Sequence, residues 1–208
     1  MISGGFRGVS RFVDLAGALV GLLAATPVLA LSAVLIRRED GGPVLYRQER
    51  IGKNGEPFTL LKLRTMSVGA ENRGAGLLVA AGDARITKTG RWLRASSLDE
   101  LPQLWNVLRG DMSLVGPRPT VRSQVERYGP EQLRRLEVRP GLTGWAQVNG
   151  RNSLSWTERI KLDVWYVDHK SLVLDLWILA LTPKALLAAD SLYGPDGVTR
   201  DFTSVKGD

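Results

Sequence analysis

The run Leu15–Ile36, LAGALVGLLAATPVLALSAVLI, holds no charged residue across 22 positions. As a helix it is about 33 Å long, enough to cross a hydrocarbon core of roughly 30 Å. Three readings compete for it. A cleaved signal peptide would use Arg7 and Arg11 as its basic start and Ala30-x-Ser32 as the cleavage site, but the run is long for the apolar part of such a peptide. A straight transmembrane helix fits the apolar pattern alone. A re-entrant helix, entering the bilayer and leaving on the same side, fits two further features. Pro27 has no N–H for the carbonyl of Leu23, so the helix should kink there, and Thr26 offers a hydroxyl to the freed backbone. Arg7 and Arg11 precede the run while Arg37 and Arg38 follow it, so the positive-inside tendency draws both ends to the cytoplasmic face. Thr26 and Pro27 are thus the expected break in a monotopic segment.

The rest of the 208 residues fits one further domain. The expected division is a membrane helix over 1–38, a membrane-associated catalytic domain over 39–190 and a tail over 191–208. With 28 Lys+Arg against 21 Asp+Glu the net charge is +7, which suits an anionic partner: nucleic acid, acidic lipid or a phosphorylated substrate. The aromatics fall in membrane-type or core-type segments rather than among the basic residues, which argues against nucleic acid. With no cysteine and one histidine, His169, disulfides, thiolate catalysis and His-rich metal sites drop out.

Asn54-Gly55 between PVLYRQERIG and PFTLLKLRTM is a strong hairpin signal. A two-residue turn there sets Arg47 opposite Lys62 and points Lys62 and Arg64 to one face. Like charges so placed favour an anion between them; a solvated basic strand face is the plainer account. Val68 to Gly82 reads as a loop, Leu101 to Leu108 as a helix, and Thr120 to Leu136 as a charged amphipathic helix. Trp156, Trp165 and Trp177 lie in two carboxy-terminal segments that suit helices in the headgroup region, or alternatively core packing. The expected class is α+β, mostly helical.

In SSLDELPQ, Ser97 to Gln103 and the preceding Ser96, two carboxylates adjoin. Ser97-x-x-Glu100 matches a capping box, which accounts for Glu100 but not for Asp99. Pro102 would sit awkwardly in that helix unless its start slides to Asp99. Either way both carboxylates stand at a helix N-terminus, where phosphate also binds. Mg²⁺ would reconcile the two, since it binds through one or two carboxylates plus phosphate oxygens. Capping with surface ion pairs and phosphoryl chemistry with nearby arginines both remain open from the pattern alone.

Three stretches resemble the bacterial sugar transferases that act as monotopic phosphoglycosyl transferases: GPVLYRQERIGKNGEPFTLLKLRTM, DARITKTGRWLRASSLDELPQLWNVLRGDMSLVGPRP and RPGLTGWAQVNGRN. They occur in family order, and the likeness extends from Arg7 to about Leu187, as expected of a minimal catalytic core. The resemblance implies a Mg²⁺-dependent reaction in which a nucleotide sugar, usually a UDP sugar, and polyprenyl (undecaprenyl) phosphate give polyprenyl-diphosphate-sugar and a nucleoside monophosphate. It implies Asp99 as the nucleophile that forms an acyl-phosphate, and Glu100 as its assistant and, with Asp99, a metal ligand. It implies phosphate-handling roles for Arg94, Arg118 and Arg151, and places Lys62 and Arg64 in the family's basic K-x-R-[ST]-M element. It also implies the cytoplasmic face of a bacterial inner membrane and a place in exopolysaccharide, O-antigen or glycoconjugate synthesis. The sugar is left open, as is the oligomeric state, a homodimer included. Two departures stand out: Thr120 where glutamate commonly follows Pro-Arg-Pro, and Gly82-Asp83-Ala84-Arg85 for Asn-Asp-Pro-Arg. The competing class is a non-catalytic basic scaffold on the membrane surface.

Overall fold

A computed structural model of the chain describes residues 4–70, 80 and 82–187. The expected tail over 191–208 and most of the expected loop between Val68 and Gly82 lie outside them. The described residues are mostly helical, with two small sheets.

Helix α1 runs over Gly4–Asp40 and is long and apolar enough to cross a membrane. It continues through Pro27 as one helix, where a break is expected from sequence. The Thr26 hydroxyl donates at 2.9 Å to the carbonyl of Leu22, not to that of Leu23, the one Pro27 releases. Asp14, Ala18, Ala25, Ser32 and Ile36 form a buried stripe at helical spacing, while Phe12, Leu19, Val20 and Leu23 are exposed. Both ends are fastened to the rest of the chain. Arg11 donates to the carbonyls of Val107 and Leu108 near the end of a helix, and Asp14 accepts from Ser113 Oγ and the Leu114 N–H. At the far end Glu39 accepts from the Lys88 and Thr89 N–H groups, and Asp40 pairs with Arg64.

Strands β1 (Leu45–Ile51) and β2 (Pro57–Leu63) form the expected antiparallel hairpin. Asn54 and Gly55 do make the left-handed turn, with φ of 58° and 83°. Its register is nevertheless one residue from the expected one. Gly52 and Lys53 both bond to Glu56, so two residues oppose one. This bulge sets Tyr46 opposite Lys62, and Arg47 opposite Leu61, so the like-charge pair does not form. Buried Asn106 ties the hairpin inward, bonding to Thr59 O and Leu61 N.

Helix α2 (Lys88–Ala95) leads through a 3₁₀ turn, Leu98–Glu100, into α3 (Gln103–Arg109), matching the helix expected over Leu101 to Leu108 within two residues. Strand β3 (Ser113–Val115) pairs in parallel with β4 (Gly141–Thr143). Between them the expected long helix is two short ones, α4 (Arg122–Val125) and α5 (Pro130–Leu133), because Gly129-Pro130 interrupts it. Helix α6 (Trp145–Val148) precedes α7 (Trp156–His169) and α8 (Leu172–Leu187). The main core joins Ala18 of α1, Leu60 of β2, Leu104 and Val107 of α3, Tyr166 of α7 and Ile178 of α8. Trp165 and Trp177 are both partly exposed. Trp165 stacks between Trp145 and His169, whereas Trp177 is exposed with Val173 and Leu176 on α8.

Candidate active site

The turn carrying Asp99 and Glu100 does not use a capping box. Ser97 adopts a left-handed conformation, φ 56°, and its side chain makes no cap; Pro102 stands at the N-cap of α3. The short 3₁₀ turn buries Asp99 and lines the mouth of a cavity with Glu100.

Two cations grip Glu100. Lys62 of β2 reaches Oε1 at 2.9 Å, and Arg118 reaches the same oxygen at 2.7 Å. The bulged register therefore still delivers Lys62 to the dyad. Burial disfavours the Glu100 carboxylate, but the Arg118 and Lys62 charges and hydrogen bonds hold its pKa well below the usual range. Asp99 behaves in the opposite way. Burial raises its pKa and the Glu100 charge adds to this, against Lys62, Arg94 and Arg118. No described residue donates a hydrogen bond to Asp99 in the structure, so its oxygens are free for an outside group.

Arg118 is held by the backbone around it. Gly116 and Gly141 pack so tightly that a Cβ on Gly141 would stand 2.1 Å from the Gly116 nitrogen. Gly144 is equally close to the Gly116 carbonyl. The VGPRP and RPGLTGW stretches thus close on one another, bringing Arg118, Gln147 and Arg151 to one side of the dyad. Arg151, itself left-handed at φ 49°, donates to Ser97 Oγ at 3.3 Å and to the Ala185 carbonyl at 3.5 Å. Burial, then the Arg118 charge, lowers its pKa. Arg94 of α2 lies within electrostatic reach of Asp99.

Arg64 is the site residue that the structure places elsewhere. It is buried beyond the end of β2, its guanidinium committed to both Asp40 oxygens and its Nε to the Pro43 carbonyl. It fastens α1 to the hairpin and does not face the dyad. The partner that claims Arg64 lies 24 positions earlier, and no sequence motif links the two. Gln147 is the opposite omission. It lines the cavity beside Glu100, Arg118 and Arg151, and only its place in the GWAQVNGRN stretch hinted at a role.

Among the described residues no group of three or more His, Cys, Asp or Glu gathers to hold a metal, at the dyad or elsewhere. A divalent ion that uses one or two carboxylates and completes its shell with phosphate oxygens fits the dyad, whose Asp99 oxygens are unclaimed.

The sequence profile of the bacterial sugar transferases matches residues 6–189. The chain belongs to the bacterial sugar transferase family. This bacterial sugar transferase is 44% identical over 200 residues to EpsL of Bacillus subtilis, an uncharacterized sugar transferase, covering 96% of this chain and 98% of that one. It is 45% identical over 192 residues to the UDP-glucose:undecaprenyl-phosphate glucose-1-phosphate transferase of Caulobacter vibrioides, covering 88% and 71%. Against the undecaprenyl-phosphate galactose phosphotransferase of Salmonella typhimurium it is 38% identical, spanning 90% of this chain but 42% of that protein. Several of its relatives are thus more than twice the length that it matches.

Proposed function

We propose that the protein transfers a sugar 1-phosphate from a UDP sugar to undecaprenyl phosphate at the cytoplasmic face of a bacterial inner membrane. The observation that carries this is the asymmetry of the dyad: Lys62 and Arg118 grip Oε1 of Glu100, while the buried Asp99 beside it has no hydrogen-bond donor among the described residues. A carboxylate so placed is a nucleophile that needs no base.

In the first step an Asp99 oxygen attacks the sugar-bearing phosphorus. The phosphoanhydride bond breaks, and UMP departs with the bridging oxygen and its electron pair. In the second, an oxygen of undecaprenyl phosphate attacks the same phosphorus and Asp99 leaves as the carboxylate. No proton moves in either step. Arg118 and Arg151 neutralise the phosphates that arrive and leave, and Lys62 with Arg118 keeps Glu100 ionised and fixed, so that Asp99 is correctly aimed. Mg²⁺, held by Asp99 and Glu100, would supply further charge neutralisation at the phosphate oxygens.

The membrane side of the reading draws on α1. Arg11 and Asp14 hold one end of the helix to the body, and Glu39 and Asp40 hold the other. Both ends then belong on one side of the bilayer, with the exposed apolar faces of α1 and α8 toward lipid. Tags at residues 1 and 208 should both be accessible only from the cytoplasm; labelling on opposite sides would establish a true span.

The deciding assay incubates purified protein in lipid nanodiscs with a panel of UDP sugars, undecaprenyl phosphate and Mg²⁺. Release of UMP supports the reading. Release of UDP would make the protein an ordinary glycosyltransferase, and no turnover with any sugar would favour a scaffold.

A further inference from the structure

The cavity beside the dyad has a volume of about 180 Å³. Its lining combines the charged Glu100, Arg118 and Arg151 with the apolar Leu101, Leu142 and Leu179. Thr143 and Thr182 also face it, but their hydroxyls bond to each other at 2.8 Å. Gln147 is different. Its Nε2 and Oε1 are both shielded from water, and neither has a hydrogen-bond partner among the described residues. A buried polar group left unmet is costly, so this amide is suited to a ligand offering a donor and an acceptor side by side.

That requirement separates the possible occupants. A prenyl chain would satisfy the leucines and leave both amide atoms unmet. A sugar would meet the amide, yet several of its hydroxyls would face leucine. A nucleobase has apolar faces and keeps its donors and acceptors on its edge. Uracil presents N3–H next to a carbonyl oxygen, matching an amide that accepts through Oε1 and donates through Nε2. Relatives whose names state a donor, in Erwinia amylovora, Caulobacter vibrioides and Aeromonas hydrophila, state a UDP sugar or UDP-galactose.

We infer that Gln147 reads the N3–H and adjacent carbonyl of the donor's uracil, with the base between the leucine walls and the diphosphate at Arg118 and Arg151. This makes Gln147 a specificity residue for the nucleotide, and it rests on the donor proposed above.

The test compares UMP with 3-methyl-UMP, which lacks the N3–H, by calorimetry on the protein in nanodiscs. Wild type should bind UMP about tenfold or more tightly than the methylated nucleotide, since a site built to bond an N–H rejects an analogue lacking it. Gln147→Met, close in volume, and Gln147→Glu, which exchanges the donor for a second acceptor, should both lose that preference. Either variant suffices if the other does not fold. Wild type binding both nucleotides alike, or a folded variant keeping the full preference, overturns the inference. So does a Gln147→Met protein with unchanged UMP affinity and a raised KM for undecaprenyl phosphate, which would give the cavity to the lipid. Binding is read without turnover. A Gln147-dependent UMP preference in a protein that turns over no UDP sugar would overturn the proposed reaction and not the base site; turnover with no such dependence would do the reverse.

Discussion

Two clusters of arginine and carboxylate lie on either side of Arg118, and they differ in what is left over. In the first, Glu100 takes Lys62 and Arg118, Asp99 has no hydrogen-bond donor among the described residues, and a cavity opens beside them. In the second, Arg135 and Asp163 pair at 2.6 Å, each almost wholly buried; Arg135 also donates to Tyr128 Oη and to the Arg118 carbonyl. Burial alone would lower the Arg135 pKa and raise that of Asp163. The pair's attraction, with Tyr128, nonetheless leaves the arginine above its ordinary value, while burial still prevails at Asp163. The same residue types thus build a sealed brace and an open, cavity-lining cluster. Solvent access and one unclaimed carboxylate separate them, not charge content. The brace holds the backbone of the arginine that the open site uses, so the two should fail in different ways.

The largest contrast is expected at Asp99. Asp99→Asn should reduce kcat by about 10³-fold or more, as removal of a covalent nucleophile does. It should also abolish the labelled phosphosugar adduct formed without acceptor, while the thermal transition stays near wild type. An adduct persisting in that variant would end the nucleophile assignment. In the sealed cluster Asp163→Asn should act on the fold instead. It leaves Arg135 buried without its counter-charge, which costs about 3–5 kcal/mol. Chemical denaturation should read that loss, and any protein still folded should form the adduct.

Arg64 refines the comparison, because it was expected in the open site and sits in a closed one. Arg64→Lys keeps the charge but loses the two-pronged grip on Asp40. The expected loss is about 1–3 kcal/mol of stability, with the KM for the UDP sugar unchanged. A large rise in that KM, with stability intact, would return Arg64 to phosphate binding.

What could be read ahead of the structure follows from how local each signal is. The apolar run, the Asn54-Gly55 turn and the paired carboxylates are properties of a few adjacent residues. Gly129-Pro130 is equally local, and it breaks the helix expected over Thr120 to Leu136. The hairpin register was not legible in the same way, because the bulge at Gly52 depends on how Glu56 bonds across the turn. Arg64 depends on Asp40, 24 positions away, and the grip on Glu100 depends on Lys62, 38 positions away. Ser97 matched the capping pattern, but the left-handed backbone that ends α2 removes its side chain from that role. Pairings of long sequence separation are set by packing, and no motif records them.

The smallest effect is expected at Thr120, where the family pattern has glutamate. Thr120 is 1% exposed; its hydroxyl bonds with Gln124 and lies 3.1 Å from Tyr128 Oη, which in turn accepts from Arg135. Arg135 Nε is buried and has no partner among the described residues. The brace is therefore sealed against water yet has one donor to spare, close to the position where a longer acidic side chain would start. Thr120→Val, nearly isosteric, removes the hydroxyl and should cost about 1 kcal/mol. Thr120→Glu should cost less than that valine, or stabilise, if its carboxylate takes up the spare Nε. Thermal unfolding of the two variants in the same lipid gives the order. A glutamate variant several degrees below the valine one would mean that the brace has no room for a second carboxylate, so Thr120 is fitted to a cluster already complete.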